Sequence, residues 1–178
     1  MKARQILYIS AALLAWLLLA HSNTSYASYV KLTNAVCESY NKSWVLINNC
    51  RLKAMERRKT VLNINITFLY PANDIHLHIQ LMKKANGYKP WLVNYTIDAC
   101  QFMRRRNHPV VIIFHNLIKN VSTVNHTCPY EGVQLLKDFY RVDDLPLAMV
   151  GGDYVLLLTW IMNKRPQFIT NVYFSFDE

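Results

Sequence analysis

The sequence predicts a mainly β fold, an antiparallel β-sandwich interrupted by one or two short helices. Three observations carry that prediction. Apolar and polar residues alternate in several separate runs, which is the period of half-buried strands. Turn-forming residues divide those runs, with Asn86-Gly87 the strongest hairpin signal of the chain. Clear helical spacing is confined to the stretch from Pro109 to Asn120.

The first 27 residues stand apart. Lys2 and Arg4 precede an apolar stretch from Ile6 to Ala20, and Ser25-Tyr26-Ala27 offers a small-x-small cleavage site, with Ala20-His21-Ser22 as a second. The apolar run is short for the roughly 20 residues of a membrane span. Residues 1–27 therefore read as a signal peptide and 28–178 as one domain, long enough for a sizeable core.

Tyr29 to Cys37 reads as a first strand. Trp44 to Leu52 follows, with Trp44, Leu46 and Cys50 assigned to one face. The charged stretch Arg51 to Thr60 suits a bulged strand or a turn. Val61 to Tyr70 is a plain strand, with Leu62, Ile64, Ile66, Phe68 and Tyr70 inward and Asn63, Asn65 and Thr67 outward. Pro71-Ala72-Asn73 breaks it. The central hairpin then sets Ile75, Leu77, Ile79 and Leu81 against Asp74, His76, His78 and Gln80. Beyond Asn86-Gly87 it resumes with Trp91, Val93, Tyr95, Ile97 and Ala99 inward, and Cys100 closes it.

In Pro109 to Asn120, Val110, Ile113, Phe114, Leu117 and Ile118 recur at helical steps. Asn107 is placed to cap that helix and Pro109 suits its first turn. The β-branched run Val110 to Ile113 leaves a strand open as the alternative. Asn125 to Tyr130 forms a loop around Cys128, and Gly132 to Tyr140 reads as a second short helix with Val133, Leu136, Phe139 and Tyr140 on one face. Pro146 and Gly151-Gly152 mark a long turn. Tyr154, Leu156, Leu158, Trp160 and Met162 then alternate, Asn163 to Pro166 turns, and Phe168, Val172, Phe174 and Phe176 alternate back.

Cys37, Cys50, Cys100 and Cys128 form an even set, as in chains that fold in an oxidising compartment. Three pairings satisfy the count; local closure favours Cys37–Cys50 and Cys100–Cys128, each contributing about 3 kcal/mol. No C-x-x-C pair or cysteine–histidine spacing suggests zinc. Sequons at Asn41, Asn65, Asn94, Asn120 and Asn125, besides Asn23, agree with secretion, and Asn65 and Asn94 fall on polar strand faces where a glycan fits. The formal net charge is +9, two units lower without Lys2 and Arg4. Arg104-Arg105-Arg106, Arg57-Arg58 and Lys83-Lys84 are its local clusters; an extracellular setting turns such charge toward acidic glycans or lipid heads rather than nucleic acid.

Motifs for catalysis are missing. There is no Gly-x-Ser-x-Gly elbow, phosphate-cradling loop or H-E-x-x-H, and no cofactor site is expected. His76-x-His78 puts two imidazoles on one strand face without a third ligand, so no metal site is assigned. Asp74, Asp98 and Asp153 lie at strand ends and read as turn or cap residues. His126 is assigned to packing within its loop, and Asp143-Asp144 to a solvated turn.

A family resemblance rests on pieces that occur in order: Arg51-Leu52-Lys53-Ala54; Asn86-Gly87-Tyr88-Lys89-Pro90-Trp91-Leu92; Asp98-Ala99-Cys100-Gln101-Phe102; Asn125-His126-Thr127-Cys128-Pro129-Tyr130; Leu145-Pro146; and Gly152-Asp153-Tyr154. Together they resemble an insect-specific family of secreted proteins, a domain of unknown function expanded in flies, over about Leu32 to Phe176. That family is similar to the ML lipid-recognition domains and the CheB-type chemosensory proteins. The resemblance implies an immunoglobulin-like sandwich whose sheets part to admit a lipid, and extracellular action in taste or pheromone detection. Leu147 to Gly151 departs from the family pattern and affects one rim loop.

The expectation is thus a secreted, non-enzymatic binding protein for a lipid or other hydrophobic small molecule, with a membrane receptor as a further partner. Inward aromatics Phe68, Trp91, Tyr95, Phe102, Phe114, Tyr154, Trp160 and Phe174 would line its cavity, and Arg104 to Arg106 would meet a polar head at the rim. The alternative is a solid-cored extracellular module that docks on a receptor or secreted partner, in which the same aromatics only fill the core.

Overall fold

The computed structural model describes residues 29–56, 59–140 and 149–177. The expected signal peptide, Arg57-Arg58, Asp143-Asp144, Leu145-Pro146 and part of the 147–151 departure lie outside the described residues. The elements run β1 (Tyr29–Ser39), β2 (Val45–Glu56), β3 (Lys59–Ala72), β4 (Ile75–Ala85), β5 (Gly87–Asp98), α1 (Ala99–Arg105), α2 (Pro109–Ile118), β6 (Tyr130–Phe139), β7 (Gly152–Met162) and β8 (Arg165–Asp177).

Among the described residues eight strands form two antiparallel sheets, ordered β1-β8-β7-β4-β5 and β2-β3-β6. Their inner faces oppose one another as an immunoglobulin-like sandwich, and Cys37–Cys50 staples β1 of one sheet to β2 of the other. Cys100–Cys128 ties the start of α1 to the loop before β6. Both disulfides are the local pairs that the spacing favours. The β4–β5 hairpin turns at Asn86-Gly87, where Gly87 takes φ +83°, and the β7–β8 hairpin turns through Asn163 and Lys164, both also at positive φ.

β-Bulges redirect several faces from the simple alternation. In β2 the register with β3 shifts between Ile47 and Asn49, so Val45 and Ile47 point inward before the bulge, and Cys50 and Leu52 after it. Leu46, expected inward, is 38% exposed, while Val45 is fully buried. In β3 the pairing with β6 skips from Phe68 to Ala72, and the skipped Tyr70 turns outward, 53% exposed, against the ring of Trp44. In β5 the register with β4 shifts opposite Leu81, and Leu92 sits there at φ +50° on the surface while Val93 stays buried.

The stretch from Gly132 to Tyr140 is not helix: it is strand β6 as far as Phe139. Asp138 takes φ +51°, and the register with β3 shifts so that Leu136 pairs with Ile64 and Phe139 with Leu62. Inward positions thus come three residues apart, the spacing that imitates a helix. Asn63 pins this bulge, its Nδ2 donating to Asp138 Oδ1 (3.3 Å) and its Oδ1 accepting from the Asp138 amide (3.1 Å).

Pro109–Ile118 is helical, so the strand alternative falls. The N-cap of α2 is His108, not Asn107, and its side chain makes no capping bond. α1 replaces the strand expected to reach Ala99: Asp98 accepts the Gln101 amide at 2.7 Å and starts a helix instead.

Candidate ligand-binding cavity

The inner face of the larger sheet is built in rungs. Strand pairing sets Leu77 beside Trp160 and Phe168, Ile79 beside Leu158 and Thr170, and Leu81 beside Leu156 and Val172. Opposite them the smaller sheet presents Leu62 with Phe139, Ile64 with Leu136, and Ile66 with Gln134. Leu77, Leu156, Leu158, Val172, Ile64 and Leu136 all point into the sandwich yet remain only half-buried. Their free surface faces a cavity of about 260 Å³ between the sheets. Phe102 and Met103 of α1 and Phe114, Leu117 and Ile118 of α2 complete the wall.

Five of the eight aromatics proposed from sequence meet at this cavity: Phe68, Phe102, Phe114, Trp160 and Phe174. The other three stand elsewhere. Tyr154 is fully buried, stacked on Phe174 with its hydroxyl donating to the Val150 carbonyl at 2.6 Å. Trp91 and Tyr95 lie on the edge strand β5, the first beneath Lys83 Nζ and the second against the ring of His108. Burial raises the pKa of Tyr95.

The wall is nearly all carbon, and its few polar groups are mostly paired within the fold. Trp160 Nε1 donates to Thr170 Oγ1 at 2.9 Å. Gln134 donates to the Glu131 carbonyl and accepts from Thr123 Oγ1. The Tyr130 hydroxyl donates to the His126 carbonyl, and burial outweighs that bond to raise its pKa. The Val124 amide donates to Ser122 Oγ.

His115 is the exception. It is 6% exposed, lines the cavity, packs edge-on against Phe102, and neither ring nitrogen has a hydrogen-bond partner in the protein. Burial lowers its pKa, with Arg106 and Lys119 adding to the effect. A criterion based on aromatics overlooks this residue. The usable signal was a single imidazole four residues after Val111 on a helix whose one other polar residue is Asn116.

The remaining sequence assignments sit on the surface. Asn94, Asn120 and Asn125 are exposed, Asn41 and Asn65 half-buried. Arg104 and Arg105 occupy the last turn of α1, and Arg106 closes it in the left-handed region. Lys84 pairs with Asp153 at 3.2 Å. His76 pairs with Asp74, and His78 Nδ1 lies 2.9 Å from Thr96 Oγ1. Among the described residues no group of three or more His, Cys, Asp or Glu is arranged to hold a metal ion, and no helix is long and apolar enough to cross a membrane. Two disulfides are consistent with an extracellular protein.

Fold and site together define a disulfide-stapled antiparallel sandwich with an apolar cavity between its sheets. Over residues 77–156, from β4 into β7, the chain is similar to a family described as "Protein of unknown function (DUF1091)". No curated protein matches it.

Proposed function

We propose that this chain is a secreted, glycosylated, non-enzymatic binding protein that holds a lipid or other hydrophobic ligand between its sheets. The observation that carries the reading is the carbon-lined cavity of about 260 Å³. The atoms that line such a space lack packing partners on one side. A guest restores those contacts. An acyl chain gains about 0.8 kcal/mol per buried methylene, so the wall needs no specific polar contact to retain one. Sites for drug-sized molecules run from about 300 to 1,000 Å³, which suits this smaller space to a single chain rather than a lipid with several.

Ligand entry lies beside α2, of which only Val111 and His115 are buried. The resemblance to the insect family, and through it to ML lipid-recognition and CheB-type chemosensory proteins, supports a role in taste or pheromone detection with a membrane receptor as partner. The void weighs against the solid-cored docking module. Protein expressed with its leader in insect cells and purified without detergent should carry lipid adducts in native mass spectrometry, removable by organic extraction. Preparations that are uniformly empty would overturn the reading.

A further inference from the structure

Among the polar side chains of the described cavity wall, His115 is the one whose hydrogen-bonding atoms are left over. It lines the apolar cavity from the second turn of α2, and both its ring nitrogens are buried there without a partner in the protein. The charges that act on it are both positive. Arg106 closes α1 and Lys119 closes α2, and each opposes a second proton on the ring. No Asp or Glu stands on the described wall to balance them. The neutral ring offers one N–H donor and one bare nitrogen.

We propose that His115 marks a head-group site and that the guest is a fatty acid, its chain along the cavity and its carboxylate accepting the His115 N–H. The inference rests on the ligand-binding reading above and adds the chemical class of the ligand. A carboxylate answers both features of the site. It takes up the idle donor, and it places a negative charge where Arg106 and Lys119 have left a positive field uncompensated. A hydrogen bond to an ionised acceptor is roughly twice as strong as a neutral one. An alcohol of equal length would use the hydrogen bond but not the cations, and a hydrocarbon would use neither. The basic run at the end of α1 thereby gains a specific role: Arg106, at the turn between the two helices, is the member of that run whose charge reaches the ring.

The test titrates lauric acid, lauryl alcohol and dodecane into delipidated protein at neutral pH. The acid should bind at least about tenfold more tightly than the alcohol, the ratio expected when a charge-assisted bond replaces a neutral one. His115→Phe keeps a ring in place and should remove the preference for the acid while dodecane binding persists. Arg106→Asn combined with Lys119→Gln, outside the cavity wall, should shrink the preference and leave the fold intact; Asn tolerates the left-handed backbone at Arg106. If His115→Phe fails to fold, the surface pair decides alone. Equal affinities for acid, alcohol and hydrocarbon, or a preference that survives the variants, would overturn the carboxylate site and leave the ligand-binding reading standing. Failure of all three probes to bind would overturn both.

Discussion

Helices α1 and α2 follow one another in sequence and cover the same cavity, yet they are held to the sandwich by different means. α1 has an acidic N-cap, a disulfide at its second residue and a buried Phe102. α2 is the more apolar of the two, yet its N-cap His108 contributes no side-chain bond and only Val111 and His115 are buried. Hydrophobic composition is therefore a poor guide to anchoring. What holds a short helix is a capped end and a covalent or fully buried attachment, and a helix that lacks them opens at a lower free-energy cost.

The largest effect should separate two phenylalanines that both line the cavity. Phe102→Ala removes a buried ring from the anchored helix and should lower unfolding free energy by about 3 kcal/mol. Phe114→Ala, on the half-buried face of α2, should lower it by less than about 1 kcal/mol, a surface-like value. Chemical denaturation of the two variants makes the measurement. Equal losses would break the contrast between the helices.

A smaller effect concerns their starts. Asp98→Ala should lower stability by about 1 kcal/mol through loss of the bond to the Gln101 amide. Asn107→Ala should stay within about 0.5 kcal/mol, because His108 rather than Asn107 occupies the cap of α2. Thermal melts give both values, and faster amide exchange at Gln101 in the first variant would sharpen the assignment.

How far the sequence could be read follows from the same physics. Alternation reported β3, β4, β7 and β8 and the two hairpins because a regular pleat has a period that side chains must obey. It failed wherever a bulge inserted a residue. Leu46 and Tyr70 changed sides for that reason, and β6 looked helical because Asp138 spaces Leu136 and Phe139 by three. The Asn63–Asp138 bonds that fix that bulge join residues far apart in the chain, so no local pattern could display them. α1 was legible in principle. Asp98, read as a turn or cap residue, is its N-cap, and Asp98-x-x-Gln101 is a capping-box pattern; the helix behind it is masked because Ile97 and Ala99 continue the alternation. The cavity was legible in part: an inward position says that a side chain leaves solvent, not whether the opposite sheet meets it. Phe68 and Trp160 lie where the sheets part, whereas Tyr154 stacks on Phe174 in solid packing.

The smallest effect is also the most specific to α2. Burial, joined by the charges of Arg106 and Lys119, holds the His115 pKa below its ordinary 6.5. As pH falls through that value the unfolded chain takes up a proton that the folded ring refuses. The unfolded state then binds more protons, so stability declines on acidification and recovers as pH rises. In lipid-free protein, the melting temperature of His115→Phe should fall less than that of the wild type between neutral pH and about pH 5, because the variant lacks this proton uptake. Loading the wild type with lauric acid should flatten its slope too, since a carboxylate against the ring favours the proton that Arg106 and Lys119 oppose. Identical slopes for wild type and variant would mean that α2 opens far enough to wet the imidazole in the folded state. The helix would then be a door standing ajar, and the difference from α1 would be larger than its packing alone conveys.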